Sequence, residues 1–424
     1  MGLKLAVVGG GSTYTPELVD GFAKRADRVP IDEIALMDID PERLEIVGGL
    51  AGRMLRRQGW AGRLVCTDDR SEALDGADVV LIQLRIGGQR ARLGDETLPK
   101  RWELIGQETV GAGGFAKALR TVPVVLEIAE EAERRAAADH WIVDFTNPVG
   151  IVTQALADAG RRSLGLCNVA IGFQRRFARR FGVDPDRVAL EQVGLNHLTW
   201  IRAVRVDGVD RLPEILADEG DRIAGDVGEP VERLRELGVI PSYYLRYYDD
   251  TSTVVAEQAT HETRAEEVMK IERELLELYR DPNLDTKPEL LEHRGGAFYS
   301  EAAAQLIASL VDGRGDIQVV DVRNGGALPG LAADDVVEVP ARIDRDGAHP
   351  LPLEPLPAEL LDLVSRVKTY ERLTVRAAIT GDRAVARAAL AANPIAGGAE
   401  LSPQLLDAIL EWNAQWLPRF GPTD

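Results

Sequence analysis

Val7-Val8-Gly9-Gly10-Gly11-Ser12-Thr13 follows one apolar run and leads into a stretch with helical spacing. Three glycines there permit a tight turn and let the backbone come close to a bound group. The helix start that follows offers amide donors to a pyrophosphate. The next apolar run ends in Asp38, 29 residues after Gly9. A carboxylate at that place accepts hydrogen bonds from ribose hydroxyls, which favours NAD over NADP. Gly9, Gly11, Ser12, Thr13 and Asp38 are therefore the expected cofactor-binding residues, and the chemistry they imply is hydride transfer. Tyr14 replaces the third glycine of the usual G-x-G-x-x-G pattern.

These residues need strands that end beside them. Residues 3–8, 34–37, 79–84, 141–145 and 163–166 are short, nearly continuous apolar runs, as in strands buried on both faces of a parallel sheet. Helical stretches separate them. The one over 41–58 has Asp40 placed to cap it and Pro41 at its first position. This alternation predicts an α/β fold with a doubly wound, Rossmann-like parallel sheet. Past residue 170 the rhythm changes. Residues 187–194 and 198–206 read as strands of a mixed or antiparallel sheet. Residues 230–237, 262–280 and 405–417 read as helices, and 281–294 as a polar loop. The expected organisation is an NAD-binding domain over 1–170 and an α+β domain over 171–424.

The chain has 69 acidic and 50 basic residues, a formal charge of −19. Such a surface repels nucleic acid and anionic membranes, so an anionic small substrate must be held by locally placed arginines. Only Cys66 and Cys167 are present, which fits a reducing compartment without a disulfide framework. No apolar stretch reaches the length of a membrane span and no signal-peptide pattern is seen, so the expected location is the cytoplasm.

Further motifs run in order along the chain. Gln83-Leu84-Arg85-Ile86-Gly87-Gly88, 108–114, Thr146-Asn147-Pro148, Gly165-Leu166-Cys167-Asn168-Val169 and Gly194-Leu195-Asn196-His197-Leu198 are followed by 241–248, 294–301, 324–329 and 337–340. Together they resemble glycoside hydrolase family 4 over essentially the whole chain. Cys167-Asn168-Val169 resembles the 6-phospho-β-glucosidase branch of that family, whereas α-specific members tend to show Cys-Asp. Ala112 and Ala170 stand where proline is common, and Asp249-Asp250 where more tyrosine is expected.

The resemblance implies a lactate/malate dehydrogenase-like fold and a redox elimination in place of the usual two-carboxylate hydrolysis. NAD⁺ takes hydride from C3 of the sugar, the acidified C2 proton is removed, and the C1 group leaves. Water then adds and the hydride returns. Cys167 and His197 match the family's metal ligands. Thiolate plus imidazole suits Mn²⁺ and its later neighbours better than Mg²⁺, and manganese is the expected ion. Tyr244 matches the base at C2, with Tyr243 the less favoured choice. Glu108 matches the residue that interacts with that tyrosine. Arg85, Asn147, Asn168 and Arg264 match substrate-contacting positions. The implied partner is a phosphorylated β-glucoside, with the protein a homodimer or homotetramer. The alternative is an NAD-dependent 2-hydroxy-acid dehydrogenase of the lactate/malate type, which would use a His–Asp pair and a clamping arginine without metal.

Overall fold

The computed structural model describes residues 2–295 and 298–421; Gly296 and Ala297 of the motif at 294–301 lie outside them. One sheet of 13 strands runs through the molecule. Its parallel half contains β1 (Leu3–Val8), β2 (Ile31–Met37), β3 (Arg63–Thr67), β4 (Val79–Ile82), β5 (Trp141–Asp144) and β6 (Ser163–Gly165), in the order 3-2-1-4-5-6. That is the order of a dinucleotide-binding doubly wound sheet, with its ligand crevice outside the carboxyl ends where the order reverses. The expected fold class is therefore observed.

The antiparallel half comprises β7 (Val188–Leu195), β8 (Leu198–Val206), β9 (Val209–Asp210), β10 (Ile240–Pro241), β11 (Asp316–Arg323), β12 (Val336–Asp344) and β13 (Gly347–Pro350). β6 pairs with β11 through Gly165 and Asp321, and β12 with β7 through Glu338 and Gly194. Strands from both sides of residue 170 thus share one sheet. Asp321 and Glu338 also face each other across β11 and β12, which puts two carboxyl groups side by side in the buried centre.

Helices cover both faces. One apolar layer gathers Phe115, Leu119 and Val122 from the helix Gly111–Arg135 against Ala6, Val8 and Ile82, and Leu405 and Leu406 from the helix Gly398–Trp412 belong to it. The other packs Leu18 and Phe22 of Thr15–Ala23 with Leu306 and Ile307 of Tyr299–Asp312 against Leu5, Val7 and Leu81. Full burial of each such side chain contributes about 1.5–3 kcal/mol relative to exposure.

Several boundaries differ from the sequence expectation for local reasons. The run at 79–84 leaves the sheet after Ile82. There the Gln83 side chain donates to the Gly9 carbonyl (3.1 Å) and the Leu84 amide to Thr146 Oγ1 (3.0 Å). β3 was not expected, because an edge strand that is largely exposed or half-buried carries no continuous apolar run. The loop at 281–294 contains one helical turn, Leu290–His293. The last long helix starts earlier than expected, at Gly398. Asp40 does cap its helix, accepting from the Arg43 amide at 3.0 Å. Among the described residues no helix is long and apolar enough to cross a membrane.

Candidate active site

The glycine turn leaves β1 with Gly9 at φ +97°, and the Gly9 and Gly10 amides both bond the Met37 carbonyl (2.9 and 2.8 Å). Side chains have no room here. A Cβ on Gly9 would lie 2.5 Å from the Gln83 carbonyl oxygen, one on Gly10 2.8 Å from Leu36 Cβ, and one on Gly11 2.8 Å from the Asp38 carboxylate. Asp38 accepts from the Gly11 amide (2.8 Å), so it braces the turn whose ligand it was expected to contact. Ser12 closes the turn through its amide to the Gly9 carbonyl. Tyr14, in place of a glycine, turns its ring away to meet Tyr299 edge-on at 6.3 Å.

Thr13 is fully buried, and its surroundings were not foreseen. Its hydroxyl donates to Glu272 (3.3 Å) and accepts from Arg294 Nε (3.0 Å), while its carbonyl accepts from the Tyr279 hydroxyl (2.8 Å). The helix Arg264–Tyr279 thereby clamps the glycine turn. Replacing Gly9 by alanine combines a clash with strain at positive φ, so about 1–3 kcal/mol of stability should be lost. Urea unfolding measures that loss, and NAD⁺ titration should show weakened binding in the same variant.

Cys167 lies just past β6, buried, at the start of the helix Asn168–Phe181. His197 occupies the tight turn between β7 and β8 at φ +62°, a conformation uncommon outside glycine that signals a constrained position. Tyr244, half-buried, stacks on the imidazole with ring centres 3.8 Å apart. Tyr243 lies 4.7 Å and Tyr247 6.0 Å from the Tyr244 ring. Burial, reinforced by the Lys117 charge, pushes His197 down to about 3, so the imidazole is neutral and able to ligate a metal. Burial and the nearby Glu338 push the Cys167 thiol well up, so a metal would have to displace its proton. Burial likewise raises Tyr244 well above 10, and Tyr243 and Cys167 act in the same direction. It stays a phenol unless a cation comes near.

The third cluster centres on Glu108. Its carboxylate is paired with Arg85, with Lys117 Nζ at 2.6 Å and with Arg92 Nη2 at 3.3 Å. Although burial works against the charge, these cations hold it well below the usual carboxylate range. Glu108 was expected beside the tyrosine base; its ion-pair partners are these three cations. Lys117, in the buried face of Gly111–Arg135, is brought down to about 7 by burial and by Arg85. Asn147 holds a buried amide oxygen with no partner among the described residues. Arg264 is exposed, paired with Glu267 and donating to the His293 carbonyl (2.7 Å).

The arrangement fits the two implied groups on its own geometry. The glycine turn has no space for side chains at Gly9, Gly10 or Gly11, as the first strand-to-helix turn of a dinucleotide-binding sheet requires. His197 stacks on Tyr244, which packs against the apolar cluster that contains Cys167, so a neutral imidazole and a thiol, a donor set suited to a borderline-soft cation, lie in one buried region. Among the described residues no third His, Cys, Asp or Glu completes a protein-only metal cage, which leaves coordination for a substrate.

The model of family 4 glycosyl hydrolases matches residues 4–183, and that of their C-terminal domain residues 192–396. A probable 6-phospho-beta-glucosidase of Bacillus subtilis is 42% identical, over 99% of this chain and 98% of its own. A structure of the 6-phospho-beta glucosidase of Thermotoga maritima with manganese, NAD⁺ and glucose-6-phosphate superposes with TM-score 0.92 at 37% identity, covering 98% of this chain and 99% of its own. Malate dehydrogenase of Plasmodium falciparum shares only the fold, at 14% identity and TM-score 0.56 over 89% of this chain and 98% of its own. With both family models matched in order along the chain and a relative 42% identical over nearly its whole length, the chain belongs to family 4 of the glycosyl hydrolases.

Proposed function

We propose that this protein hydrolyses 6-phospho-β-glucosides by oxidation at C3, deprotonation at C2, elimination of the aglycone, addition of water and re-reduction. The observation that carries this reading is the stack of Tyr244 on His197, with Cys167 acting electrostatically on the same tyrosine. Cys167 and His197 would hold a divalent metal, with Mn²⁺ favoured by the bound ion of the Thermotoga relative. Gly9, Gly11, Ser12, Thr13 and Asp38 would hold NAD. When bound, the dinucleotide supplies a hydride acceptor for C3 and the cation a Lewis acid for the C2 and C3 oxygens.

The chain's own residues do the rest. Tyr244 would take the C2 proton. Arg85, at the carboxyl end of β4 where ligands of such sheets bind, would pair with the sugar phosphate, and Asn147, whose buried amide oxygen has no partner among the described residues, would accept from a sugar hydroxyl. Asn168, at the first position of its helix beside Cys167, would contact a sugar hydroxyl. Arg264 would reach the substrate only by giving up its bonds to Glu267 and His293.

The test is hydrolysis of p-nitrophenyl 6-phospho-β-glucoside with and without NAD⁺ and Mn²⁺. Activity should fall at least 100-fold when either is withheld or EDTA is added, and the unphosphorylated β-glucoside and the phosphorylated α-anomer should be poor substrates. Activity that survives EDTA and removal of NAD⁺ would refute the mechanism. A 2-hydroxy-acid dehydrogenase would accumulate NADH from lactate or malate; this protein should accumulate none.

A further inference from the structure

The loop that carries Arg85 turns on two consecutive glycines, Gly87 at φ +82° and Gly88 at φ +60°. Glycine has the weakest backbone preference of any residue, so neighbours must hold this loop in one shape. Two groups do. Arg120, 1% exposed on the helix Gly111–Arg135, spreads its guanidinium over three partners. Nη1 and Nη2 donate to the two oxygens of Asp95 (2.9 and 2.6 Å), Nη1 also to Asn413 Oδ1 (2.7 Å), and Nε to the Ile86 carbonyl (3.3 Å). Ile86 directly follows Arg85, and Asp95 lies on the helix Gly88–Thr97 that the loop opens. The second group is Trp416. Its ring lies against Gly87, where a Cβ would come within 2.9 Å of it. A Cβ on Gly94 would likewise strike the indole nitrogen of Trp412. Gly87 and Gly94 lie two helical turns apart on one face, so together they form the shelf on which the two indoles rest.

We propose that Arg120 and Trp416 are positioning residues for substrate binding, fixing the loop from which Arg85 reaches a sugar phosphate. The inference rests on Arg85 being the partner of that phosphate. A guanidinium suits the task because its donors form a rigid fork that reaches Asp95, Asn413 and the Ile86 carbonyl together. An ammonium of equal charge is a compact point and cannot span all three. Displacing a substrate-holding group by about 1 Å can cost up to about 100-fold, and here the loss falls on binding because Arg85 holds the phosphate and not the reacting carbons.

The test is calorimetric titration of glucose-6-phosphate into the protein loaded with NAD⁺ and Mn²⁺, with steady-state kinetics on p-nitrophenyl 6-phospho-β-glucoside beside it. Trp416→Ala and Arg120→Lys should each weaken glucose-6-phosphate binding about tenfold and raise KM to match, with kcat within about threefold and NAD⁺ affinity within about twofold. Trp416→Phe, which keeps a ring against Gly87, should restore most of the affinity. In an Arg85→Ala background, Trp416→Ala should weaken binding no further, because both changes remove the same contact. Wild-type affinity in Trp416→Ala, additive losses in the double variant, or a kcat that falls with affinity unchanged would overturn the proposal. If Arg120→Lys does not fold, Trp416→Ala decides alone. Arg85→Ala by itself separates the two readings. Unchanged glucose-6-phosphate affinity there removes Arg85 as the phosphate's partner, whereas a loss there with Trp416→Ala unaffected removes only the positioning role.

Discussion

Glu108→Gln is expected to destabilise the protein by about 3–5 kcal/mol at neutral pH and to abolish turnover. The carboxylate is the shared counter-charge of Arg85, Arg92 and Lys117, and Lys117 is buried to 2% exposure. Removing one partner of a buried ion pair leaves the other charge desolvated and uncompensated. The three cations respond differently. Arg85 is partly exposed and can turn outward, and Arg92 keeps its pair with Glu96 at 2.7 Å. Lys117 has neither escape, so it sheds its proton.

That response has a pH signature. Lys117 sits at about 7 with Glu108 present, and Glu108 raises that value. Without the carboxylate it must fall further below its unfolded value of about 10.4. Over that interval the unfolded chain binds the extra proton, so stability decreases as pH falls. In the wild type the decrease stops near pH 7, where folded Lys117 is itself protonated. In the variant it continues lower. The stability gap between the two should therefore widen below pH 7, by up to about 1.4 kcal/mol per pH unit. Urea unfolding at pH 6, 7 and 8 measures this, and Lys117→Met in the same background should recover part of the loss. A gap that is constant with pH would mean that Lys117 is not the strained charge.

Five of the six parallel strands were legible because buried parallel strands announce themselves as apolar runs, while the more exposed edge strand β3 was not; the glycine turn was legible because positive φ and close packing admit little else. The antiparallel strands Val188–Leu195 and Leu198–Val206 were legible to within a residue, and the turn between them carries His197. The clamp around Thr13 was not, since Glu272, Tyr279 and Arg294 lie some 260 to 280 positions away in the chain. Lys117 did leave a trace, as a lysine within the apolar stretch Phe115–Ala118 that opens a long helix. A charge inside a buried helical face needs a buried partner, though the sequence does not say which. Glu338 was visible only as part of a motif. Its surroundings come from the strand pairing that sets it opposite Gly194 and within reach of Asn196.

Tyr244→Phe is expected to lower kcat by about 10²–10⁴-fold, the range for loss of a general base, with the fold, Mn²⁺ affinity and NAD⁺ affinity retained. Phenylalanine keeps the ring that stacks on His197 at 3.8 Å and lies 4.7 Å from Tyr243, so packing survives and only the oxygen is lost. Tyr243 is 40% exposed, and Tyr243→Phe should cost less than about tenfold if Tyr244 is the base. A substrate deuterated at C2 discriminates further. Wild-type turnover should wash the label into solvent, and Tyr244→Phe should slow the washout as much as it slows kcat. Burial holds the Tyr244 phenol well above 10, with Tyr243 and Cys167 adding to the shift, so the free protein cannot supply a phenolate at neutral pH. A bound cation beside His197 is the change that would lower it. Loss of the tyrosine oxygen and loss of the metal should then be strongly non-additive, with EDTA reducing the washout rate of Tyr244→Phe far less than that of the wild type. Full additivity would place the C2 base elsewhere.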